Sequence, residues 1–421
     1  MIFLLNLLVA IIAVVLLLYL LEKDLGLFLI SFSILIQYIW MFFSIIEIES
    51  GIYINEQGKN GYFVFSSLIL FLFYISTLTS LIFFKKVFTH TFKNFITTKF
   101  SIANIKEEKL NLFFLFFIFF IAFLNILSSP IPIFSENVTK FNFWDYAKYP
   151  FLKSIIGNVM AFVGFGSALV FRQSKKTSIL LITLYIVYLI MIGQKFTGFL
   201  IAIYGILLAL YFSSEVRIYF KLKWVFNKYF LGSSVALIFL VLYKYTLNNP
   251  FEYMGLTPLE SVFYRTFGLQ AHVFWGVTEQ YIYLDKPHSW NITELWKGMH
   301  VLMLEFWPGR YEDFVSVTTR GVSWTNAYPS ILIRIFPLGV ALGVNFLLIS
   351  IVSLFQTILI KLIKGGSFLL SIVFFQLLVW VNYAYTMAYF HKLKIPLLLL
   401  LLFLLFKYLK YYSIKRKTIS N

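Results

Sequence analysis

Runs of roughly 20 apolar residues recur along this chain almost from end to end, and that recurrence limits the fold more than any motif does. A helix of about that length crosses the hydrocarbon core of a bilayer while satisfying its own backbone. Eleven spans are predicted: Ile2–Leu21, Leu25–Ile46, Tyr62–Phe84, Asn111–Ser128, Ser154–Phe171, Thr177–Gly193, Phe196–Phe212, Tyr229–Thr246, Pro337–Leu362, Ser367–Thr386 and Ile395–Phe406. Composition agrees, since 60% of the 421 residues are hydrophobic and only 13% are charged, against about half and about a quarter in a soluble domain. A water-soluble enzyme is excluded. The chain reads as an all-α polytopic membrane protein, with 1–421 as a single integral membrane domain. Glu22, Lys23 and Asp24 follow the first span with no basic residue ahead of it; a signal peptide has the opposite order, so the span is kept as a mature helix. There are no cysteines, which removes disulfides, thiolate metal sites and cysteine nucleophiles together.

The net charge of +17 raises the question of nucleic acid, but in a membrane protein the first question is which side carries it. With the C-terminal tail (Lys407, Lys410, Lys415, Arg416, Lys417) placed in the cytoplasm, alternation puts 21 basic residues and five acids inside, and 14 basic and 13 acidic residues outside. Almost all of the excess faces one compartment. The basic balance is therefore a topology signal and not a nucleic-acid footprint. The N-terminus comes out on the outer side.

Connections between spans are short except for 247–328, a large extracytoplasmic loop of 82 residues that holds Trp275, Trp290, Trp296, Trp307 and Trp324, with His272, His288 and His300 and eight of the 18 acids. Indoles stack on apolar pyranose faces and carboxylates accept sugar hydroxyls, so the mixture suits a glycan; a Trp belt at the membrane interface is the plainer alternative. Short amphipathic helices are predicted within the loop. In Pro258–Trp275, Phe263, Phe267, Ala271 and Phe274 fall on one face, while Arg265 and His272, seven residues apart, share another. Asn291 with Glu294 three residues on has the form of a capping box, and Pro308-Gly309 stops that helix and exposes Arg310.

Arginine is scarce, seven against 28 lysines, and four of the seven (Arg265, Arg310, Arg320, Arg334) fall at or near this loop. A guanidinium holds phosphate oxygens through paired hydrogen bonds that lysine cannot reproduce. The matching anion is the pyrophosphate of an outer-leaflet lipid; ordinary pairing with the loop's acids is the alternative.

These features resemble the Wzy-type O-antigen polymerases. Arg265 precedes Gly276, and Arg310 precedes Gly321, by the same ten intervening residues. The turn Gly193-Gln194-Lys195-Phe196-Thr197-Gly198 is similar to one that this family places between two helices, and Asn326-Ala327-Tyr328 running to Pro337-Leu338-Gly339-Val340-Ala341-Leu342-Gly343 resembles its return into the membrane. The resemblance implies a GT-C-like fold and a glycosyltransferase, acting without metal or cofactor, that joins undecaprenyl-pyrophosphate-linked oligosaccharide repeat units into O-antigen or capsular polysaccharide. Arg265, Arg310, Lys195 and Arg320 would hold the donor pyrophosphate, Trp275 and Trp296 the sugars, and His272, His300 or Glu305 would accept the acceptor's proton. The implied setting is the bacterial cytoplasmic (inner) membrane, with membrane lipids and a chain-length regulator protein as partners. The related ligases carry a His at the return into the membrane where this chain has Thr325-Asn326, which counts against ligase. A lipid-linked oligosaccharide flippase is the reading from another class; transporters usually carry ionisable residues within their spans. No His pair or carboxylate cluster has metal-ligand spacing, and no phosphate-binding glycine loop is present.

Overall fold

The computed structural model describes residues 2–50, 65–93, 101–102, 105–135, 138, 142–193, 196–213, 242, 246, 255–306, 311–312, 315 and 326–419. The described part is mostly helical, with one two-residue antiparallel pairing, β1 (Ser101–Ile102) with β2 (Ile105–Lys106). Among the described residues six helices are long and apolar enough to cross a membrane: α1 (Ile2–Lys23), α2 (Leu25–Glu49), α3 (Ser66–Thr91), α4 (Glu107–Leu127) and, towards the C-terminus, Leu338–Lys364 and Phe368–Thr386. On α1, Leu4, Leu8, Ile11, Val15 and Leu18 are all at least 41% exposed and form one stripe at helical spacing. A ribbon of that size in water would drive aggregation; in a bilayer it is the lipid-facing side. This is a membrane-embedded protein.

Composition reads as one membrane domain, but the packing divides the chain into two compact units. One comprises Met1–Phe84, Tyr219–Val352 and Trp380–Asn421; the other comprises Lys85–Ile218 and Ser353–Val379.

The second unit contains α4, α5 (Phe143–Tyr146), α6 (Lys153–Leu169), α7 (Lys175–Met191) and α8 (Phe196–Ser213). Close packing follows from small residues: a Cβ on Gly164 would lie 2.5 Å from the Tyr185 ring, and one on Gly205 would lie 2.8 Å from Phe375. Phe375 in turn stacks on Phe165 with ring centroids 4.3 Å apart. The polar groups are returned to backbone, as a dry environment demands: the Tyr185 hydroxyl donates to the Met160 carbonyl at 2.8 Å, and Ser178 donates to that of Ser167 at 2.9 Å. The predicted span Tyr229–Thr246 falls, but for two residues, outside the described part.

The first unit holds α1–α3; within the long inter-span segment, α9 (Pro258–Thr266), α10 (His272–Thr278), α11 (Glu294–Lys297) and α12 (Met299–Phe306); and after it α13 (Ser330–Ile335), the start of α14 (Leu338–Lys364), the end of α15 (Phe368–Thr386) and α16 (Lys394–Ile419). Asp24 turns α1 into α2 by capping the Leu27 amide at 2.9 Å. At the other end of the hairpin the buried Glu49 accepts from Asn6 at 2.6 Å and from the backbone and hydroxyl of Ser66 at 2.8 and 2.6 Å. Deeper down, Asn345 donates to Ser76 at 2.9 Å and to Thr77 at 3.3 Å and pairs with the Tyr328 hydroxyl, while Tyr38 meets Thr77 at 2.9 Å. These buried chains fix which helix faces which.

Contacts also bring several segment ends of this unit together. Ser44, near the end of α2, donates to the Gly268 carbonyl at 2.9 Å and accepts from the Ala271 amide at 2.9 Å. The Trp296 carbonyl pairs with His391 Nδ1 at 3.0 Å. The start of α1, the end of α2, the described part of the inter-span segment and the turn after α15 therefore lie together at one end of this unit.

Candidate functional site

The described part of the inter-span segment opens near a capping box different from the predicted one. Thr257 and Glu260 cap α9 reciprocally, with the Glu260 carboxylate 2.8 Å from the Thr257 amide, and Pro258 occupies the first turn. The backbone and hydroxyl of Thr257 hold the fully exposed Glu260 carboxyl below its ordinary range.

Pro258–Trp275 is not one helix. α9 ends at Thr266, a 3-10 turn covers Gly268–Gln270, and α10 starts at His272. The break is where Ser44 takes over the Gly268 carbonyl and the Ala271 amide. Arg265 and His272 consequently do not share a face: Arg265 is exposed, whereas His272 and the rest of α10 are buried. Phe263, expected on the apolar face with Phe274, is 52% exposed while Phe274 is 0%.

From Asp285 the chain runs as an extended strap along α13. Ser289 and Trp290 amides donate to the carbonyls of Arg334 and Ile335 at 3.2 and 3.1 Å, and His288 Nδ1 meets the Ile333 carbonyl at 2.9 Å. Beneath the strap lies a charge cluster. Arg334 donates through Nε to Glu294 at 2.9 Å and through Nη1 to the Tyr281 hydroxyl at 2.9 Å, and it is ion-paired with Glu305. The Tyr281 hydroxyl donates to Glu305 at 2.7 Å; Lys286 pairs with the same carboxylate and donates to Gln280 at 2.9 Å. Ser289 donates to Glu294 at 2.9 Å. The side chains of Arg334, Glu294 and Glu305 are 17%, 14% and 9% exposed, so two cations and two carboxylates balance in a semi-dry space. Burial pushes the Tyr281 phenol up, against the opposing pull of the Arg334 guanidinium, and burial followed by Arg334 pushes the Lys286 ammonium down.

Set against the expectations, the cluster uses Arg334 for carboxylate pairing. Asn291 and Glu294 form no capping box: Asn291 Oδ1 accepts from the amide and hydroxyl of Thr293 at 3.1 and 2.7 Å, and Glu294 turns to Arg334. Glu305, a candidate proton acceptor, has its oxygens occupied by Lys286, Tyr281 and Arg334. His272 is 1% exposed, with Nδ1 2.7 Å from the Leu269 carbonyl. Trp275, at 1% exposed, offers no open ring face to a sugar. His300 is exposed on α12 and Trp296 is 45% exposed beside an open depression of about 510 Å³ that it lines with Ile292, Thr293 and Lys297. Arg310, Arg320, Lys195 and the break at Pro308-Gly309 lie outside the described residues. Sequence reasoning missed Tyr281 and Lys286, which no spacing rule links to partners 19 to 53 positions away.

A model described as a family of unknown function (DUF6418) matches residues 293–410. The match takes in Glu294, Trp296, Glu305, Arg334 and the turn after α15, while Tyr281, Lys286 and His288 precede it. No curated protein and no solved structure matches the chain. Among the described residues no group of His, Asp and Glu is placed to hold a metal ion.

Burial gives His272 a testable signature. Desolvation lowers its pKa to about 4, while in the unfolded chain it titrates near 6.5. The buried neutral ring thus adds stability that is complete above pH 6.5 and is lost as pH falls towards 4, at about 1.4 kcal/mol per unit at most. Thermal unfolding in detergent is expected to drop over that window in the wild type and to flatten in His272→Gln. Parallel pH profiles would refute the buried neutral state.

Proposed function

We propose that the protein is a GT-C-like glycosyltransferase that joins undecaprenyl-pyrophosphate-linked oligosaccharide repeat units at the outer face of the bacterial cytoplasmic membrane. The observation that carries this reading is the inter-span segment itself. Its described residues form a largely helical layer anchored on the ends of the first unit's membrane helices, with Arg265, His300, Trp290 and Trp296 exposed and with Arg334 and Lys286 paired to Glu294 and Glu305. Such a layer suits a reaction between two lipid-tethered substrates, whose reacting sugars lie just outside the hydrocarbon.

In that reaction the bond from the donor sugar's anomeric carbon to pyrophosphate breaks as a bond to the acceptor hydroxyl forms. The hydroxyl proton goes to a base, and undecaprenyl pyrophosphate leaves. Geometry favours His300 over His272 and Glu305 as that base, and Trp296 over Trp275 as a sugar platform. Arg265, exposed on that layer, is assigned to the departing pyrophosphate, where charge develops. A chain-length regulator is the protein partner implied.

The test is deletion of the gene in its native host with complementation, reading the surface polysaccharide on a gel. A single repeat unit on the lipid core supports polymerase; no attached unit supports ligase or flippase instead; an unchanged ladder overturns the reading. Because the chain has no cysteine, Ser289→Cys in the complementing copy reports orientation. Labelling by an impermeant maleimide in intact cells is expected, and its absence with full labelling after lysis would reverse the topology.

A further inference from the structure

A second basic cluster lies at the junction of α15 and α16. His391, Lys392 and Lys394 occupy a 3-10 turn (Phe390–Leu393) and the first residue of α16, and all three are exposed. Lys297, exposed at the end of α11, joins them, because the Trp296 carbonyl pairs with His391 and the Trp296 ring lies 4.8 Å beneath Lys394 Nζ. Lys392 Nζ stands over the rings of Tyr383 and Tyr389 at 4.5 and 5.2 Å. Among the described residues no carboxylate is ion-paired with Lys297, Lys392 or Lys394; the nearby Glu294 is committed to Arg334 and Ser289.

Aromatic faces stabilise an ammonium without consuming its N–H donors, so Lys392 and Lys394 are held in place with donors to spare. The location specifies the anion. The turn directly follows a membrane-crossing helix, and exposed Leu398, Leu401, Leu402 and Leu405 of α16 continue from it as a lipid-facing surface. The rings of Trp296, Tyr383 and Tyr389 form the aromatic belt found at headgroup depth. An anion at that depth, above an apolar helix surface that accepts acyl or prenyl chains, is a lipid phosphate.

We propose that Lys297, Lys392 and Lys394, framed by Trp296, Tyr383 and Tyr389, form a seat for the phosphate headgroup of a membrane lipid. The seat does not depend on the polymerase reading; only the choice of a prenyl diphosphate as one probe does.

The test is native mass spectrometry of the full-length protein in neutral detergent, titrated separately with phosphatidylglycerol, undecaprenyl diphosphate and, as a phosphate-free control, diacylglycerol. Wild type is expected to retain at least one phosphate lipid and to release the control. Lys392→Gln/Lys394→Gln is expected to weaken that retention at least tenfold, with the Lys→Arg pair near wild type. A larger loss for undecaprenyl diphosphate identifies the substrate lipid as occupant, and a larger loss for phosphatidylglycerol identifies bulk lipid; either supports the seat. Equal retention by wild type and the Gln pair at equal melting temperature overturns it, as does displacement by inorganic phosphate at the lipid's own concentration. Should the double variant unfold, Lys297→Gln, a surface change on another helix, carries the same comparison with a severalfold loss expected. Binding without turnover keeps failure here separate from failure of the polymerase reading.

Discussion

Arg334→Met is expected to lower the stability of the first unit by about 3–5 kcal/mol, the cost typical of stripping one partner from a buried ion pair. The size follows from what is left behind. Glu305, whose side chain is 9% exposed, keeps Lys286 and the Tyr281 hydroxyl, but Lys286 is itself 44% exposed and partly solvated. Glu294 keeps only Ser289 among the partners described above. Two carboxylates are then left with one cation. Arg334→Lys should recover only part of the loss, since an ammonium cannot reach Glu294, Glu305 and Tyr281 from one planar fork. The informative comparison is a double-mutant cycle with Glu305→Gln, followed by thermal unfolding in detergent. Glu305→Gln/Arg334→Met should be clearly more stable than the two single losses added together predict, because the second change removes the charge that the first left bare. Additive losses would mean that the two side chains do not interact.

The cluster also shows why the site was less legible than the spans. A membrane helix announces itself locally, because every residue of a long apolar run contributes to the same transfer energy. Leu25–Ile46 predicts α2 (Leu25–Glu49), and Ser367–Thr386 predicts α15 (Phe368–Thr386), to within a turn. The inter-span segment obeys tertiary rules. Its amphipathic period placed Phe263 with Phe274, yet Ser44, more than 200 positions earlier, captures the Gly268 and Ala271 backbone and ends the helix between them. Two segments carry the same three-residue capping signature. Thr257–Glu260 caps its helix from an exposed position, whereas Glu294 is diverted by Arg334, because a charge-assisted bond in a semi-dry space outweighs a cap. Spacing alone cannot separate the two outcomes. Likewise, the link between the basic turn His391–Lys394 and Trp296 and Lys297, about 95 positions apart, exists only in the fold.

That link rests on a single glycine, which gives the other large effect. Gly298 joins α11 to α12 at φ +55° and ψ −125°, a backbone conformation that side chains beyond glycine scarcely enter. A Cβ there would lie 1.7 Å from the Ala388 carbonyl oxygen and 2.5 Å from its carbon. Backbone cannot swing aside as a flexible side chain can, so Gly298→Ala must separate the two segments. The expected cost exceeds about 4 kcal/mol, combining strain with lost packing. Ala388 is also at positive φ, +52°, and provides the opposite control: Ala388→Gly relieves strain and should be neutral or slightly stabilising. Separation would also draw Trp296 away from His391 and Lys394, so Gly298→Ala should weaken retention of phosphatidylglycerol although it removes no charge. Thermal unfolding and lipid retention measured on the same preparation decide the matter. A Gly298→Ala protein that melts with wild type and holds lipid equally well would show that the two backbones do not meet.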